Sequence, residues 1–361
     1  MSNGPDSQEF RRRLLGWFDE NARDLPWRRS SDPYAIWVSE IMLQQTRVAA
    51  VLEHYARFML RFPALHDLAA AAEDEVLAQW SGLGYYRRAR MLHKAARFVA
   101  EQLEGRLPVT AVGLRALPGV GEYTCAAIAS IGFGEAVACV DGNVERVVRR
   151  LCGWDEGRGT AAKVRVEAAR LLDGNCGGER PGDFNQAMME LGAVVCLPRG
   201  PLCLQCPVQE LCRTKGEHSV AGRKKMHSKE QAYALLRRSP GTPAAEVLLE
   251  QRKADASLMA GMWELPAIDA GLAAEEKKAL TLRHSITDTN YYVTIYELDA
   301  TEQRRLPKRK AVRKWFAVDA LHTLPLTGLA RKVLKRLRTW PGYGAAGAVV
   351  TFEKELPEIL L

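Results

Sequence analysis

Cys196, Cys203, Cys206 and Cys212 follow one another at the spacing C-x6-C-x2-C-x5-C, with Pro198, Pro201 and Pro207 forcing turns between them. Four thiols within seventeen residues converge on one centre only if that short segment wraps around it, so the spacing points to a metal site. Zinc is the alternative, but four-cysteine zinc sites usually arrive as two C-x2-C knuckles, and a 6-2-5 loop suits an iron–sulfur cluster better. Cys125, Cys139, Cys152 and Cys176 are scattered through helical sequence and read as core residues.

A chain of 361 residues, 47% of them apolar, can bury two or three cores and needs no disulfide staples. Its 51 Lys and Arg against 43 Asp and Glu leave a net charge of +8, which favours a polyanionic partner. The first residues are polar and include Arg11 to Arg13, without an apolar stretch of signal-peptide length. No run approaches the roughly 18 apolar residues of a membrane span. The expectation is a cytoplasmic protein, nucleoid-associated if bacterial, with no membrane partner, in a compartment that keeps thiols reduced.

From Phe10 to about Val195 apolar residues recur at helical spacing, as in Tyr34 to Thr46, Arg87 to Leu103 and Tyr123 to Ile131. Between Arg213 and Lys229 the pattern stops, and Arg223, Lys224, Lys225 and Lys229 crowd together as in an exposed linker. Beyond it come strand-like runs, Gln231 to Leu236, Glu246 to Leu249 and Tyr291 to Tyr296, with helical stretches at Ala273 to Leu280 and Leu329 to Leu337. The expected layout is a mainly α region over 1–212, a basic linker over 213–229 and an α+β domain over 230–361.

Leu117-Pro118-Gly119-Val120-Gly121 ends one helix and opens the next, leaving amides free for a phosphate. Asp141, in Val140-Asp141-Gly142-Asn143-Val144, follows twenty residues after Gly121. It is either a carboxylate emerging beside that hairpin or an N-cap for the helix Val144 to Leu151.

Hairpin, aspartate and 6-2-5 loop, in this order over roughly residues 10 to 212, resemble the endonuclease III superfamily of base-excision DNA glycosylases. Its lyase members place a lysine six positions after the leucine of L-P-G-V-G, where this chain has Tyr123, so no Schiff base with the sugar is available. With Trp37-Val38-Ser39-Glu40-Ile41-Met42-Leu43-Gln44-Gln45-Thr46 and Gly82-Leu83-Gly84-Tyr85-Tyr86, the chain is similar to the adenine glycosylases. The resemblance implies a helix-hairpin-helix glycosylase fold with an iron–sulfur loop holding one 4Fe-4S cluster, and a Nudix-like C-terminal domain. The implied partner is duplex DNA with A:8-oxoguanine or A:G mispairs, bound by a monomer.

Cutting an N-glycosidic bond needs a proton for the base and a carboxylate facing the oxocarbenium-like sugar. Glu40, between Trp37, Ile41 and Leu43, is the expected acid toward adenine N7, and Asp141 the expected carboxylate. Tyr123 and Asn143, in the matching family positions, would hold the pair. The adenine must also leave the stack, and inserted side chains offset part of that cost. By resemblance Leu43, Gln44 and Gln45 lie at the lesion, Tyr85 packs beside the opposite base, Trp27 and Arg28 line the adenine pocket, and Gly119 and Gly121 meet the backbone. For Trp27 and Tyr86 plain packing is as good a reading, and Arg87, Arg88 and Arg90 either reach phosphates or form a solvated face. A thymine or uracil mismatch glycosylase is the enzymatic rival, against which Glu40 argues. A DNA-binding relative without catalysis is the other, against which both carboxylates argue.

The C-terminal half resembles the Nudix-like domain through Gly261-Met262-Trp263-Glu264-Leu265-Pro266. A magnesium-binding R-E-x-x-E-E helix is not offered by Glu275, Glu276, Lys277 and Lys278, so hydrolysis of free nucleotides is not expected. Where family members carry Phe-Ser-His, this chain has Ile286-Thr287-Asp288. Thr287 could still donate a hydroxyl to the lesion, while Asp288 brings a negative charge. A slipped alignment, a different reading of the lesion and weaker selectivity all stay open.

Overall fold

The computed structural model describes residues 5–155, 157, 159–174, 179–218, 226–269, 277–307 and 311–341, which fall into two compact units. The first takes the described residues of 1–70 and 91–221, and the second those of 71–90 and from 222 onward. Cys176, Arg223, Lys224, Lys225, Glu275 and Glu276 lie outside the described residues.

The helices in chain order are α1 Ser7–Asn21, α2 Pro33–Leu43, α3 Val48–Arg61, α4 Leu65–Ala70, α5 Glu73–Trp80, α6 Arg87–Gln102, α7 Ala111–Arg115, α8 Glu122–Phe133, α9 Gly142–Cys152, α10 Thr160–Asp173 and α11 Pro181–Val194. Of these α5 and the start of α6 belong to the second unit. Local signals set their limits: Asp32 caps α2 through Tyr34 N ahead of Pro33, while left-handed Gly134 and Gly153 stop α8 and α9. One core of the helical unit joins Phe10 and Leu14 of α1, Val148 and Leu151 of α9, Leu171 of α10, and Phe184 and Leu191 of α11, all buried. Each such side chain contributes roughly 1.5–3 kcal/mol by leaving water. Cys196, Cys206 and Cys212 pack against this core, which anchors the cysteine loop to it.

Helix α2 stops at Leu43, short of the Thr46 expected from periodicity. Gln45 takes a left-handed backbone with φ of 54°, and Thr46 N bonds to Leu43 O at 3.1 Å, closing a turn.

The second unit is a mixed seven-stranded sheet made of β1 His227–Arg238, β2 Glu246–Gln251, β3 Trp263–Glu264, β4 Ala267–Ile268, β5 Lys278–Ile286, β6 Thr289–Asp299 and β7 Arg313–Ala317. The order is β3-β2-β1-β6-β5, with β4 on β1 and β7 on β2. β1 and β6 run parallel, Tyr233 opposite Ile295, and every other pairing is antiparallel. Side chains alternate across β1: Tyr233 and Leu235 enter one core with α12 (Gly328–Arg336), and Ala232, Ala234 and Leu236 enter the other. The α+β expectation holds, with one correction: Lys278 to Leu280, expected to be helical, open β5. Pairing of Lys278 with Tyr296 and Leu280 with Ile295 overrides their local helical pattern, and 273–276 lie outside the described residues. β1 begins at His227, so Lys229 is a strand residue opposite Tyr291.

Candidate active site

Glu40 sits on α2 in an apolar stretch, 6% exposed. Burial pushes its carboxyl from an ordinary 4.5 to about 7; the hydrogen bond from Tyr123 opposes that, the charge of Asp141 adds to it, and the charge of Arg28 opposes it. Tyr123, in the first turn of α8, donates its OH to Glu40 Oε2 at 2.6 Å and lies 3.0 Å from Met189 Sδ. Burial and then the charge of Glu40 raise the phenol well above its usual range, so it stays a donor.

Asp141 is the N-cap of α9, and its second oxygen is held as well. Its Oδ1 accepts from Val144 N at 2.8 Å, capping α9, while its Oδ2 accepts from Asn143 Nδ2 at 2.8 Å. Asn143 Oδ1 accepts in turn from Arg146 Nη2 at 2.9 Å, and Arg146 Nε donates to Cys196 O at 2.8 Å. A continuous chain of polar contacts therefore joins Asp141 to the first cysteine of the loop. α11 comes close enough to complete it because residue 192 is glycine: Arg146 Nη2 reaches Gly192 O at 2.7 Å, and a Cβ on Gly192 would sit 2.6 Å from Asn143 Cβ.

Of the expected pocket residues, Arg28 is held most firmly. Its Nη2 donates to Glu190 Oε2 at 2.8 Å, while Arg23 bonds both Glu190 oxygens at 2.6 and 2.8 Å. Burial would raise the Glu190 carboxyl, yet the hydrogen bonds and charges of Arg23 and Arg28 outweigh it and hold it at about 2. The guanidinium of Arg28 also lies 5.3 Å from the Phe18 ring centroid. Trp27 is buried edge-on against Tyr55, centroids 5.4 Å apart. Gln44 Nε2 donates to Thr124 Oγ1 at 3.1 Å, Leu43 is half-buried and Gln45 is exposed. Glu190, Arg146 and Gly192 were missed. The available signal was a lone carboxylate in the apolar run Ala187 to Leu191, and an arginine three residues after Asn143.

In the hairpin, Gly119 is required twice over: its φ is 76°, and a Cβ there would meet Met91 Cβ at 2.4 Å. Gly121 is the N-cap of α8 with no side-chain cap, which leaves the first amides of that helix for an outside acceptor. In the cysteine loop, Cys196, Cys203, Cys206 and Cys212 all line one cavity of about 30 Å³. Among the described residues no three His, Cys, Asp or Glu side chains close on a single ion. The donor set nevertheless fits a thiolate-held cluster, because four thiols share one cavity braced by the end of α9. Arg150 Nη1 donates to Leu197 O at 2.6 Å and to Cys196 Sγ at 3.3 Å, and Arg150 O accepts from Thr214 Oγ1 at 2.8 Å.

Within the second unit, Tyr85 is 48% exposed with φ of 48°. Arg88 is half-buried, its guanidinium 5.3 Å from the Tyr85 ring and 5.5 Å from the Trp80 ring. Arg90 bonds Glu73 and Ala260 O, and Arg87 is exposed. Thr287 and Asp288 form the two-residue turn between β5 and β6, Thr287 with φ of 55°. Beside it, Ile286 lines a cavity of about 580 Å³ with Tyr233, Tyr291, Arg252 and Glu264. No helix of the described residues is long and apolar enough to cross a membrane.

Residues 38–173 match the HhH-GPD superfamily of base excision DNA repair proteins. The chain is similar to the adenine DNA glycosylase of Homo sapiens, 41% identical over 72% of this chain and 57% of the human protein. It is also similar to that of Schizosaccharomyces pombe, 31% identical over 73% of this chain and 70% of the yeast protein. The chain thus spans little more than half the length of the human relative. Among solved structures, that of a thermostable thymine-DNA glycosylase matches with a TM-score of 0.54 at 31% identity, covering 58% of this chain and 96% of that one.

Proposed function

The chain belongs to the adenine DNA glycosylase family of the HhH-GPD superfamily, and from that premise we propose that it hydrolyses the N-glycosidic bond of adenine mispaired with 8-oxoguanine or guanine in duplex DNA. What carries the reading is Glu40: a buried carboxyl pushed up to about 7 keeps a large protonated fraction near neutral pH, where an ordinary carboxyl has almost none, and Tyr123 OH occupies only its Oε2. The other oxygen is then free to give its proton to N7 of an extruded adenine. As the base departs, the Asp141 carboxylate, oriented by Val144 N and Asn143 Nδ2, faces the positive charge growing at the sugar. Water completes the hydrolysis at that carbon. Tyr123 brings no amine, so the product is an abasic site and the strand stays intact.

Arg28, fixed by Glu190, and Trp27 line the base pocket. Leu43, Gln44 and Gln45 lie at the lesion, Tyr85 packs beside the opposite base, and Thr287 addresses that base. Gly119, Gly121 and the start of α8 hold a phosphate. Cys196, Cys203, Cys206 and Cys212 would hold one 4Fe-4S cluster, which supplies a redox-capable core and a brace for its loop. On this reading the protein acts as a cytoplasmic, DNA-bound monomer.

The test is single-turnover cleavage of duplexes bearing A:8-oxoguanine, A:G, A:C, A:T and T:G pairs, with and without alkali. Alkali-dependent breaks fastest at A opposite 8-oxoguanine are expected. Equal rates at A:G would mean that Ile286-Thr287-Asp288 confers no selectivity for the oxidised base. Similarity to a thymine-DNA glycosylase favours a second reading, pyrimidine excision, which preferential cleavage of T:G would establish in its place. Iron and sulfide analysis after anaerobic purification tests the cluster, and stoichiometric zinc would replace it.

A further inference from the structure

The segment that carries Tyr85 is built into the second unit. Its loop is tied to one carbonyl oxygen: Ser81 Oγ donates to Leu326 O at 3.1 Å, and Tyr86 OH donates to the same oxygen at 3.0 Å, both within buried surroundings. Tyr86 OH also accepts from Gly82 N at 3.4 Å. Leu326 is itself clamped to the sheet, because Trp263 N bonds to Pro325 O and Thr327 N to Trp263 O, each at 2.9 Å. From α12, Arg331 donates to Ser81 O, and the adjacent Lys332 donates to Arg283 O on β5, at 3.3 Å. β5 is the strand that leads into the Thr287 turn.

A carbonyl oxygen has two lone pairs, and both on Leu326 are taken by hydroxyls of this loop. Tyr85 needs such an anchor, since it is exposed and left-handed, a backbone state that costs of order 1–3 kcal/mol and persists only where neighbours fix it. Arg88 adds a second clamp from below, with Nη2 3.4 Å from both Leu83 O and Gly84 O.

We infer that Ser81, Tyr86 and Arg88 are positioning residues for Tyr85, and that the Leu326–Thr327 connection of the second unit sets the direction in which Tyr85 meets DNA. The inference rests on the reading of Tyr85 as the side chain packed beside the opposite base. On this account the second unit acts on adenine release through the wedge as well as through the base it reads.

Tyr86→Phe removes one oxygen and keeps the buried ring. Losing one such hydrogen bond is expected to slow single-turnover adenine release by roughly 2–10-fold. If the loss runs through Tyr85, it vanishes in the Tyr85→Leu background, so the double variant is no slower than Tyr85→Leu alone. A 2-aminopurine placed next to the base opposite adenine reports stacking directly, and its response on binding should weaken in Tyr86→Phe and in Ser81→Ala. Multiplicative losses in the double variant, or an unchanged 2-aminopurine response in both single variants, would overturn the inference. Adenine release by the unaltered protein is the control for the proposed function, whereas the fluorescence needs only binding and decides the inference on its own.

Discussion

Replacing Glu40 with Gln should stabilise the protein while removing its activity. The substitution keeps the volume of the side chain and an oxygen for the Tyr123 OH, and it deletes the charge. In the folded chain burial lifts the Glu40 carboxyl to about 7 from 4.5, so between those values the folded state binds more protons than the unfolded one. Stability is therefore fully present below about pH 4.5, falls as pH rises, and stays reduced above about pH 7. At about 1.4 kcal/mol per tenfold step, the interval corresponds to about 3 kcal/mol in a group only 6% exposed. Gln does not ionise and escapes this loss. Differential scanning calorimetry should place Glu40→Gln roughly 6–12 °C above the unaltered protein at about pH 8, with the difference closing toward pH 4.5. Adenine release by the variant should drop by about 10²–10⁴-fold, and that of the unaltered protein should fall about tenfold per pH unit above about 7. A variant that melts at or below the unaltered protein at about pH 8 would refute the claim that Glu40 is a desolvated acid.

Asp141→Asn separates the cap from the chemistry. Asn caps a helix about as well as Asp, so melting should change by less than about 0.5 kcal/mol, while single-turnover release falls by about 10²-fold or more. Arg146→Gln breaks the contacts to Asn143 Oδ1, Cys196 O and Gly192 O together, and it should slow release by about 10–100-fold and speed iron loss to a chelator, followed by absorbance. Gly119→Ala forces a methyl to 2.4 Å from Met91 Cβ at a φ of 76°, so duplex binding should weaken and the salt slope of binding should flatten by about one phosphate contact.

Much of this was legible because it is local. Apolar spacing and the Asp32-Pro33 start set α2, glycines stop α8 and α9, and the proline-broken cysteine run announces a loop around one centre. The motifs that carry the family resemblance singled out Glu40 and Asp141 as the candidate carboxylates. What stayed hidden is built from partners far apart in the chain. Arg28 and Glu190 are 162 residues apart, Arg146 and Cys196 are 50 apart, and Tyr86 and Leu326 are 240 apart, so no window of sequence contains both ends. Lys278 to Leu280 failed for a related reason, since a strand partner in β6 outweighs local preference. Nor does a motif say that the rings of Trp80 and Tyr85 lie 5.5 and 5.3 Å from the Arg88 guanidinium.

Backbone strain ties these loops to the proposed chemistry. Nine non-glycine residues have positive φ among the described residues, and Gln45, Tyr85 and Thr287 are three of them. Each was assigned to the lesion or its partner base from sequence alone. Thr287 makes the strongest case, because a two-residue hairpin turn favours Asn, Asp or Gly at its first position, and a β-branched residue is among the least comfortable there. Stability would be better served by Asn, which keeps a polar group and tolerates the left-handed state. The hydroxyl and methyl of Thr287 therefore sit at the tip of β5 and β6 at a cost in folding energy that the strand pairing of Ile286 with Thr289 sustains. An extruded base needs side chains that stay in place once the stack opens, and a strained residue clamped by its neighbours has fewer alternative positions to relax into than a relaxed one.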